Sequence, residues 1–524
     1  MNEQEALLAQ AAGIPLESDL LGYPFVRDQV QLLPYTFAKQ KSVLPLGESR
    51  GKLLVALARL DDFEVIEEVR SLTGQHIVEI LASKADLERA IEQCYHQKDQ
   101  EASDYIEGLK KEGEESRDQD IASDGDDLLD KKEGSPVVQL LNMILIEAIQ
   151  QGVSDIHFEP LENEIAIRYR IDGVLQFRHR PPLELQSQLM TRIKVIAKMD
   201  IAERRLPQDG RIKLSMAGRQ IDFRVSTVPV IHGERIVLRI LDKGNITLGL
   251  DQIGMEGETV AAFRKYLRQN QGIVFVTGPT GSGKTTTLYS SIIEVNSQEV
   301  NVMTVEDPVE YKLPGIAQIG VAPKIGLTFS RGLRHILRQD PDIIMIGEIR
   351  DRETAEIAVQ SSLTGHLVLS TLHTNDAPSA LTRLVDMGVE PYLLSSSTLA
   401  VLAQRLVRGI CPHCKVGYTP KEEELSEVGL SRQELCEGQL FAGKGCEQCF
   451  ESGYRGRLGI YELMPISQRI KNQLLKSADA SELQKVAHSE GMLSLREKGA
   501  RLAVQGKTTT AEVLRVTRQT ELYR

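Results

Sequence analysis

Tryptophan is absent from this chain of 524 residues, and cysteine is scarce, with six residues in total. Six cysteines spread over so long a chain exclude the disulfide framework that holds small secreted domains together. The sequence has no run of about 18 apolar residues, so we expect no transmembrane helix. Its first residues, MNEQEALLAQAAG, contain neither a basic leader nor a long apolar stretch. We therefore expect no signal peptide and a cytoplasmic protein.

An excess of positive charge is also lacking. The formal net charge is −12, and residues 97–134 alone carry −8, with 14 acidic and 6 basic side chains. The rest of the chain is thus close to neutral. Proteins that bind nucleic acid present Lys and Arg to the phosphates, and such a charge distribution does not suit that task. We expect no nucleic-acid partner.

The length indicates several domains, because one hydrophobic core rarely serves so many residues. We predict a small N-terminal α/β domain at 1–96 and a flexible acidic linker at 97–134, where apolar periodicity is nearly absent. A solvated helix is the alternative for the linker. The strands and helices predicted within the first domain lie at 52–58, 63–74, 76–83 and 86–95.

A second α/β domain is predicted at 135–243. Residues 137–152 carry apolar side chains at helical spacing and end at a glycine. Alternating strands with many arginines follow, at 164–173, 211–230 and 235–241. A solvated strand face is the plain explanation for most of these arginines. The remainder, 244–524, holds the features that carry chemistry.

Residues 272–287, GIVFVTGPTGSGKTTT, join an apolar strand to a glycine-rich loop and the start of a helix. The pattern G-x-x-x-x-G-K-[ST] predicts a phosphate-binding P-loop, in which backbone N–H groups and the helix N-terminus face the phosphates of ATP. Lys284 should reach the β- and γ-phosphates, and Thr285 should bind Mg²⁺. The predicted nucleotide-binding residues are Gly278, Pro279, Thr280, Gly281, Ser282, Gly283, Lys284, Thr285 and Thr286.

Acidic residues follow two further apolar strands. The strand at 302–305 leads to Glu306, Asp307 and Glu310, and a second strand leads to Glu348. The carboxyl ends of parallel strands meet at one edge of a sheet, where ligands bind. An Asp that helps to hold Mg²⁺ usually follows such a strand, but Gly347 takes that place here.

We therefore expect Glu348 to hold Mg²⁺ through water. Glu310 is the favoured base for activating the attacking water, with Glu348 as the alternative. Both acids could instead simply cap the helices that follow.

His366 and His373 flank the apolar segment LVLSTL. Two histidines after the acidic strand could sense the γ-phosphate, although a histidine at such a place is often only packed.

Two cysteine pairs, Cys411-x-x-Cys414 and Cys446-x-x-Cys449, stand 31 residues apart. This spacing predicts a tetrahedral Zn²⁺ site of four thiolates, and four protein ligands leave no open position for catalysis. Disulfides are disfavoured in a reducing cytoplasm, and no thioredoxin-like pattern supports a redox role. We expect a structural zinc module at 411–449, followed by C-terminal helices at 465–524.

The motifs together resemble those of the secretion ATPase superfamily, which drives type II secretion, type IV pilus assembly and pilus retraction. The matching segments are VSDIHFEP (153–160), YRIDG (169–173), RLPQDGRI (205–212), GPTGSGKTTTLY (278–289), EDPVE (306–310), IGEIRD (346–351), GHLVLSTLHTNDA (365–377) and RLGIYEL (457–463). The resemblance implies an α/β fold in which a PAS-like domain precedes a RecA-like ATPase domain, and a ring-shaped homo-hexamer with nucleotide between the two domains.

The same resemblance implies roles for single residues. Glu310 corresponds to the catalytic glutamate of the family's aspartate box, and His366 and His373 to its histidine box. Arginines of the PAS-like domain approach the phosphates in that family. The best matches here are Arg211, Arg224 and Arg239, with Arg235 as another candidate.

The resemblance also implies membrane partners. In type II members the N-terminal domain docks on the cytoplasmic domain of a bitopic inner-membrane platform protein, and motion reaches a polytopic platform protein. Such a chain is cytoplasmic and peripherally recruited to the inner membrane. The four-cysteine module and the long N-terminal region favour secretion or assembly ATPases over retraction ATPases, and the segment 33–46, LPYTFAKQKSVLPL, favours type II secretion over pilus assembly. A nucleic-acid motor and a non-enzymatic nucleotide-binding module are the alternatives from other classes.

Overall fold

The computed structural model describes residues 135–517, with gaps at 217–218, 243–248 and 436–437, and parts of the first 94 residues. In that first part the described positions are 16–17, 20, 30, 32–33, 37–38, 41–49, 52–58, 63–84, 86–87, 90–91 and 94. The predicted acidic linker, 97–134, lies outside the described residues. The chain divides into two compact units, Met1–Gly244 and Asn245–Arg524. The finer domain boundaries stay predictions.

The first unit begins with a sheet of four described strands. They are β1 (Leu16–Glu17), β2 (Val43–Ser49), β3 (Lys52–Leu57) and β4 (Ile77–Ala82), in the spatial order β1-β4-β3-β2. Helix α1 (Phe63–Thr73) connects β3 to β4, which run parallel. Its Val65 and Val69 share a core with the buried Leu53. The strands predicted at 52–58 and 76–83 and the helix predicted at 63–74 are confirmed, and the helix buries its apolar stripe against the sheet. The helix predicted at 86–95 lies partly outside the described residues.

A second sheet of the first unit has six strands in the order β7-β6-β5-β10-β9-β8, and every neighbouring pair is antiparallel. Its elements are α2 (Pro136–Gln150), β5 (Asp155–Pro160), β6 (Ile165–Ile171), β7 (Val174–His179), α3 (Gln186–Ile196), β8 (Gln208–Met216), β9 (Arg219–Val230) and β10 (Gly233–Asp242). One face packs on both helices through Phe158, Tyr169 and Phe223. Successive side chains of a strand point to opposite faces, so the other face is left to polar residues.

A seven-stranded sheet forms the centre of the second unit, in the order β13-β12-β14-β15-β11-β16-β19. The strands of this unit are β11 (Gly272–Thr277), β12 (Val302–Glu306), β13 (Ala317–Gly320), β14 (Ile343–Ile346), β15 (Leu367–Leu372), β16 (Thr398–Ile410), β17 (Lys415–Tyr418), β18 (Leu440–Gly443) and β19 (Tyr454–Pro465). Neighbours in the large sheet are parallel except β16 and β19, which are antiparallel. Strands β17 and β18 pair separately.

Both faces of the large sheet are covered. Ile273 and Phe275 of β11 belong to one core and Val274 and Val276 to another, because alternate side chains point to opposite faces. This two-sided burial explains the continuous apolar run of β11, which is typical of a central parallel strand. The predicted parallel strands and the α/β fold class are confirmed.

The helices of the second unit cover these faces and the cysteine-containing region. They are α4 (Gly257–Leu267), α5 (Lys284–Val295), α6 (Phe329–Ile336), α7 (Arg352–Leu363), α8 (Ala377–Asp386), α9 (Pro391–Ser397), α10 (Glu422–Val428), α11 (Gln468–Lys476), α12 (Ala480–Ser489), α13 (Leu495–Val504) and α14 (Thr510–Thr517). Several begin at a side chain that accepts a backbone N–H, such as Asp351 before α7 and Asp376 before α8. Among the described residues, no helix has both the length and the apolarity to cross a bilayer.

Candidate functional site

The predicted P-loop joins β11 to α5. Gly278 has a φ of +155° and Gly283, at the N-cap of α5, has a φ of +87°. A Cβ at Gly278 would lie 2.5 Å from the carbonyl oxygen of Gln404 and from Ser282 Oγ. Glycine is therefore required here both by the backbone conformation and by close packing. The loop so formed leaves the first turn of α5 accessible, and Thr285 and Thr286 are exposed there.

Lys284 folds over the loop that precedes it. Its Nζ donates to the carbonyl oxygens of Gly278 at 2.7 Å and Pro279 at 3.0 Å. Burial lowers the pKa of Lys284 to about 8; the carboxylate of Glu348 opposes this shift and the charge of Arg405 adds to it. A buried ammonium that lacks a full counter-charge is suited to receive an anion such as a phosphate.

The carboxyl ends of four parallel strands meet beside this loop. Strands β12, β14, β15 and β11 are neighbours in that order. Glu348 follows β14 and His373 follows β15, and Glu348 Oε2 lies 3.2 Å from His373 Nε2. Arg350 Nη2 donates to Glu348 Oε1 at 2.5 Å. The tertiary structure thus brings Lys284, Glu348 and His373 to one edge of the sheet.

Glu348 stays ionised in this setting. Burial opposes its ionisation, but the hydrogen bonds and charges of Arg350 and His373 outweigh burial and lower the pKa of Glu348. An ionised carboxylate beside the P-loop is the chemistry that a magnesium ion or its water ligands require.

Glu306 is the last residue of β12 and is buried at this edge of the sheet. It accepts hydrogen bonds from Thr304 Oγ1 at 2.5 Å, from Gln318 Nε2 at 3.0 Å and from the Tyr289 hydroxyl. The backbone N–H of Glu310 in turn donates to the Tyr289 hydroxyl at 3.3 Å. Glu306 and Tyr289 therefore anchor the segment that carries the half-buried Glu310. The role of Glu310 as the base stays a prediction.

His366 lies away from this edge. It immediately precedes β15, whereas His373 immediately follows it. A strand of this length separates its two ends by about 20 Å. His366 Nδ1 is 2.9 Å from the carbonyl oxygen of Ser361, near the end of α7. The prediction that His366 acts at the phosphates therefore has no support from its place in this subunit, while His373 stands beside Glu348.

The predicted arginines form one row across the second sheet of the first unit. Arg211 pairs in register with Arg224, Arg224 with Arg239, and Arg239 with Asp155. Asp155 Oδ1 accepts from Arg239 Nε at 2.8 Å. The fourth candidate, Arg235, pairs with Glu159 at 2.6 Å on the same polar face. The register of the sheet thus aligns three arginine side chains that are far apart in the sequence.

The four predicted zinc ligands converge in the second unit. Pairing of β16 with β19 places Cys411 beside the segment after the second cysteine pair, so that Cys411 N donates to Gly453 O at 3.0 Å. Sulfur–sulfur distances are 3.9 Å for Cys411–Cys446 and 3.8 Å for Cys414–Cys449. Four thiolates at about 2.3 Å around a tetrahedral Zn²⁺ lie about 3.8 Å apart, so the cluster fits this ion.

These distances are far longer than a disulfide bond, so the described cysteines are free thiols. Burial raises the pKa of Cys449, but backbone N–H groups of Cys446 and Gly453 donate to its sulfur and bring the pKa down to about 7. Burial raises the pKa of Cys446 to about 12 and also raises that of Cys414, so Cys449 is the thiol of this cluster that ionises near neutral pH. Cys436 lies outside the described residues.

Three residues of this region were not predicted from the sequence to belong to the site. Tyr289 links two acidic positions, and Gln404 and Arg405 pack beneath the P-loop glycines. The sequence feature that could have indicated Gln404 and Arg405 is their position as a polar pair inside the apolar segment TLAVLAQRLV. Polar residues buried in a central strand need partners, which here are Thr287 of α5 for Gln404 and Asn375 for Arg405.

The family model described as type II/IV secretion system protein matches residues 130–515. The model of the MshEN domain matches residues 12–101. The first match includes parts of both compact units, and the second lies within the first unit.

Curated relatives match over nearly their whole length. Type II secretion system protein HxcR of Pseudomonas aeruginosa is 48% identical over 492 residues, covering 93% of this chain and 100% of that protein. Type II secretion system ATPase E of Vibrio cholerae is 43% identical, covering 95% and 98%. Type IV pilus assembly ATPase PilB of Myxococcus xanthus is 42% identical, covering 97% and 89%.

Among solved structures, the ATPase DotB of Yersinia pseudotuberculosis superposes with a TM-score of 0.55 at 23% identity. The superposition covers 72% of this chain and 93% of the DotB chain. This likeness concerns the fold alone.

Proposed function

The chain belongs to the type II/IV secretion system protein family, and we propose that it hydrolyses ATP to power protein export through a type II secretion system. The observation that carries this proposal is the convergence of Lys284, Glu348 and His373 beside the P-loop. An anion-binding loop next to an ionised carboxylate is the arrangement that phosphoryl transfer requires. The relatives named as type II secretion proteins supply the assignment of the system.

In the proposed reaction the P-loop N–H groups and Lys284 bind the phosphates of ATP. Thr285 and Glu348 would hold Mg²⁺, the former directly and the latter through water. Glu310 would take the proton of the attacking water, and the hydrogen bond from its backbone to Tyr289 supports a fixed position for it. His373, beside Glu348, would respond to loss of the γ-phosphate.

The assembly that we propose is a homo-hexamer. The row of Arg211, Arg224 and Arg239 supports a phosphate-binding role, because guanidinium groups bind phosphate oxygens through charge-assisted hydrogen bonds. Arg239 is paired with Asp155, so contact with a phosphate would require exchange of this partner.

Zinc has a structural role in this proposal. The sulfur–sulfur distances of Cys411, Cys414, Cys446 and Cys449 support Zn²⁺ binding by all four thiolates. With every position filled by protein, the ion would hold the module at 411–449 together and take no part in hydrolysis.

The membrane partners that we propose are the cytoplasmic domain of a bitopic platform protein and a polytopic platform protein of the inner membrane. The N-terminal domain would make the first contact, so that the cytoplasmic chain is recruited peripherally. A chain without residues 1–95 should still bind ATP but no longer cofractionate with membranes that contain the platform. Cofractionation of the truncated chain would assign recruitment to another part.

Hydrolysis itself is tested by phosphate release from the assembled protein, with and without single-stranded DNA. We expect turnover that does not depend on DNA. Absence of turnover would favour a non-enzymatic nucleotide-binding module, and stimulation by DNA would favour a nucleic-acid motor.

The system served is tested by deletion of the gene in its native host. We expect loss of exported proteins from the medium while surface pili persist. Loss of pili with normal export would favour the second candidate, a type IV pilus assembly ATPase, to which the 42% identity with PilB of Myxococcus xanthus points.

A further inference from the structure

Arg405 lies beneath the start of the P-loop. Strand β16 runs parallel to β11, and the last pair in register joins Thr277 to Ala403. Beyond this pair, β11 leads into the P-loop glycine Gly278, and β16 continues through Gln404 and Arg405. Arg405 is 6% exposed.

The Arg405 guanidinium connects two segments of the nucleotide site. Its Nη2 donates to Asn375 O at 2.9 Å and to Asn375 Oδ1 at 3.0 Å. Its Nη1 donates to Gln404 O at 3.1 Å and would lie 3.2 Å from a Cβ placed on Gly278. One planar group thus packs against the beginning of the P-loop and holds the turn between β15 and α8.

The turn that Arg405 holds carries His373. Asn375 lies two residues after His373, whose Nε2 is 3.2 Å from Glu348 Oε2. A second link joins the same turn to β11, because Thr374 N donates to Thr277 Oγ1 at 2.9 Å. The two links attach consecutive residues of the turn to the two strands beneath the P-loop, so that the position of His373 depends on both.

The buried charge of Arg405 adds an electrostatic effect. Burial lowers the pKa of Arg405, and the carboxyl groups of Asp376 and Glu462 oppose that shift. An arginine keeps its charge under such conditions, and its rigid fork holds several acceptors at fixed angles. Lysine offers a point charge on a flexible chain and cannot reproduce this geometry.

We propose that Arg405 is a positioning residue that sets His373, and through His373 also Glu348, relative to the P-loop. It acts through the turn at Asn375 and touches neither nucleotide nor metal. This inference rests on the proposed ATP hydrolysis. A residue of this kind changes the chemical step more than the binding of the substrate, because the P-loop itself remains intact.

The test is a double-mutant cycle on the full-length assembled protein, with kcat and KM for MgATP measured for Arg405→Lys, His373→Ala and the double variant. We expect Arg405→Lys to lower kcat about tenfold while KM changes less than about twofold. In the His373→Ala background the same substitution should lower kcat by less than about twofold, because the residue through which it acts is already removed.

Two further variants separate positioning from loss of stability. Arg408→Lys makes the same substitution on the same strand, where Arg408 Nη2 donates to Glu512 at 2.6 Å, and it should leave kcat unchanged. Asn375→Ala removes only the side-chain acceptor of Arg405 and should lower kcat in the same direction by a smaller factor. Thermal unfolding of all variants checks whether they remain folded under the assay conditions.

Several outcomes would overturn the inference. These are full kcat in Arg405→Lys, a rise of KM without a fall of kcat, or losses that multiply in the double variant as independent sites do. If Arg405→Lys does not fold, a double-mutant cycle of Asn375→Ala with His373→Ala tests the same coupling. Losses of kcat that multiply in that cycle would likewise overturn the inference. A wild-type chain without ATP hydrolysis would contradict the proposed function instead.

Discussion

His366 and His373 lie at opposite ends of the single strand β15 and have different neighbours. His373 Nε2 is 3.2 Å from Glu348 Oε2, and His366 Nδ1 is 2.9 Å from the carbonyl oxygen of Ser361 at the end of α7. One histidine thus belongs to the edge that carries the P-loop, and the other stabilises a helix end at the opposite edge. The separation follows from the extended geometry of a strand.

We expect the two histidine substitutions to differ in kind. His373→Ala should lower kcat at least about tenfold, because a polar group is lost beside the reacting phosphate. His366→Ala should lower the thermal midpoint while kcat per folded molecule changes little. Steady-state assays together with thermal unfolding measure both effects. Equal losses of kcat at unchanged stability would show that His366 acts in catalysis, for example across a subunit boundary.

Substitution of the two acids should decide which one is the base. Glu310→Gln should bind ATP normally and lose turnover by about 10²- to 10⁴-fold, because the amide cannot accept the proton of water. Glu348→Gln should instead raise the Mg²⁺ concentration needed for half-maximal turnover, since the carboxylate that acts on Lys284 is lost. Nucleotide titration and Mg²⁺-dependent turnover separate the two. Normal turnover in Glu310→Gln would show that the assignment is wrong.

ATP binding should weaken as pH rises above about 8. The pKa of Lys284 is lowered from 10.5 to about 8, so the free protein loses this positive charge in that range. By linkage, affinity should fall up to about tenfold per pH unit until the pKa of the ATP-bound form is reached. For folding the sign is opposite, because the unfolded chain binds the extra proton between pH 8 and 10.5 and stability therefore rises with pH there.

The matched control for this titration is Lys284→Arg, whose side chain keeps its charge throughout the range. Fluorescent-nucleotide titrations between about pH 7 and 9.5 should show a pH-independent affinity for this variant, even if it binds more weakly. The same dependence of nucleotide affinity on pH in both proteins would show that the titrating group is not Lys284.

Purified wild-type protein should contain about one zinc per chain, held by Cys411, Cys414, Cys446 and Cys449. Cys446→Ser should lose the metal and open the module at 411–449 to proteolysis, because zinc binding can contribute roughly 10–16 kcal/mol to the folding of such a module. Cys94→Ser is the control and should keep the zinc, since Cys94 is partly buried and packs against a core of the first unit. Metal analysis that finds less than half a zinc per wild-type chain would contradict the assignment.

Removal of one arginine from the aligned row should slow turnover and spare nucleotide binding by the P-loop. Arg224→Ala should lower kcat of the assembled protein at least about tenfold, through loss of positive charge near the developing negative charge. Arg180→Ala removes an exposed arginine of the same unit and should have little effect. Turnover and nucleotide affinity measured at equal degrees of assembly give the comparison. Unchanged kcat in Arg224→Ala would exclude this arginine from the reaction.

The sequence by itself determined the local chemistry of this protein. The apolar run before Gly278, the glycines, Lys284 and the two cysteine pairs specify a strand, a phosphate loop and a metal cluster through spacing alone. Each depends on residues close in sequence or on ligand chemistry that admits few alternatives. The alternation of apolar and polar positions likewise predicted the strands at 164–173, 211–230 and 235–241, whereas β2, β5, β7 and β16 were not predicted.

Only the tertiary structure decided which of these residues meet. Strand order brings Glu348 to His373 and leaves His366 at the far edge, and register aligns Arg211, Arg224 and Arg239 across three strands. Arg405 contacts Asn375, 30 residues earlier in the chain, through pairing between whole strands. Such contacts arise from the packing of distant segments, which no local pattern of spacing encodes.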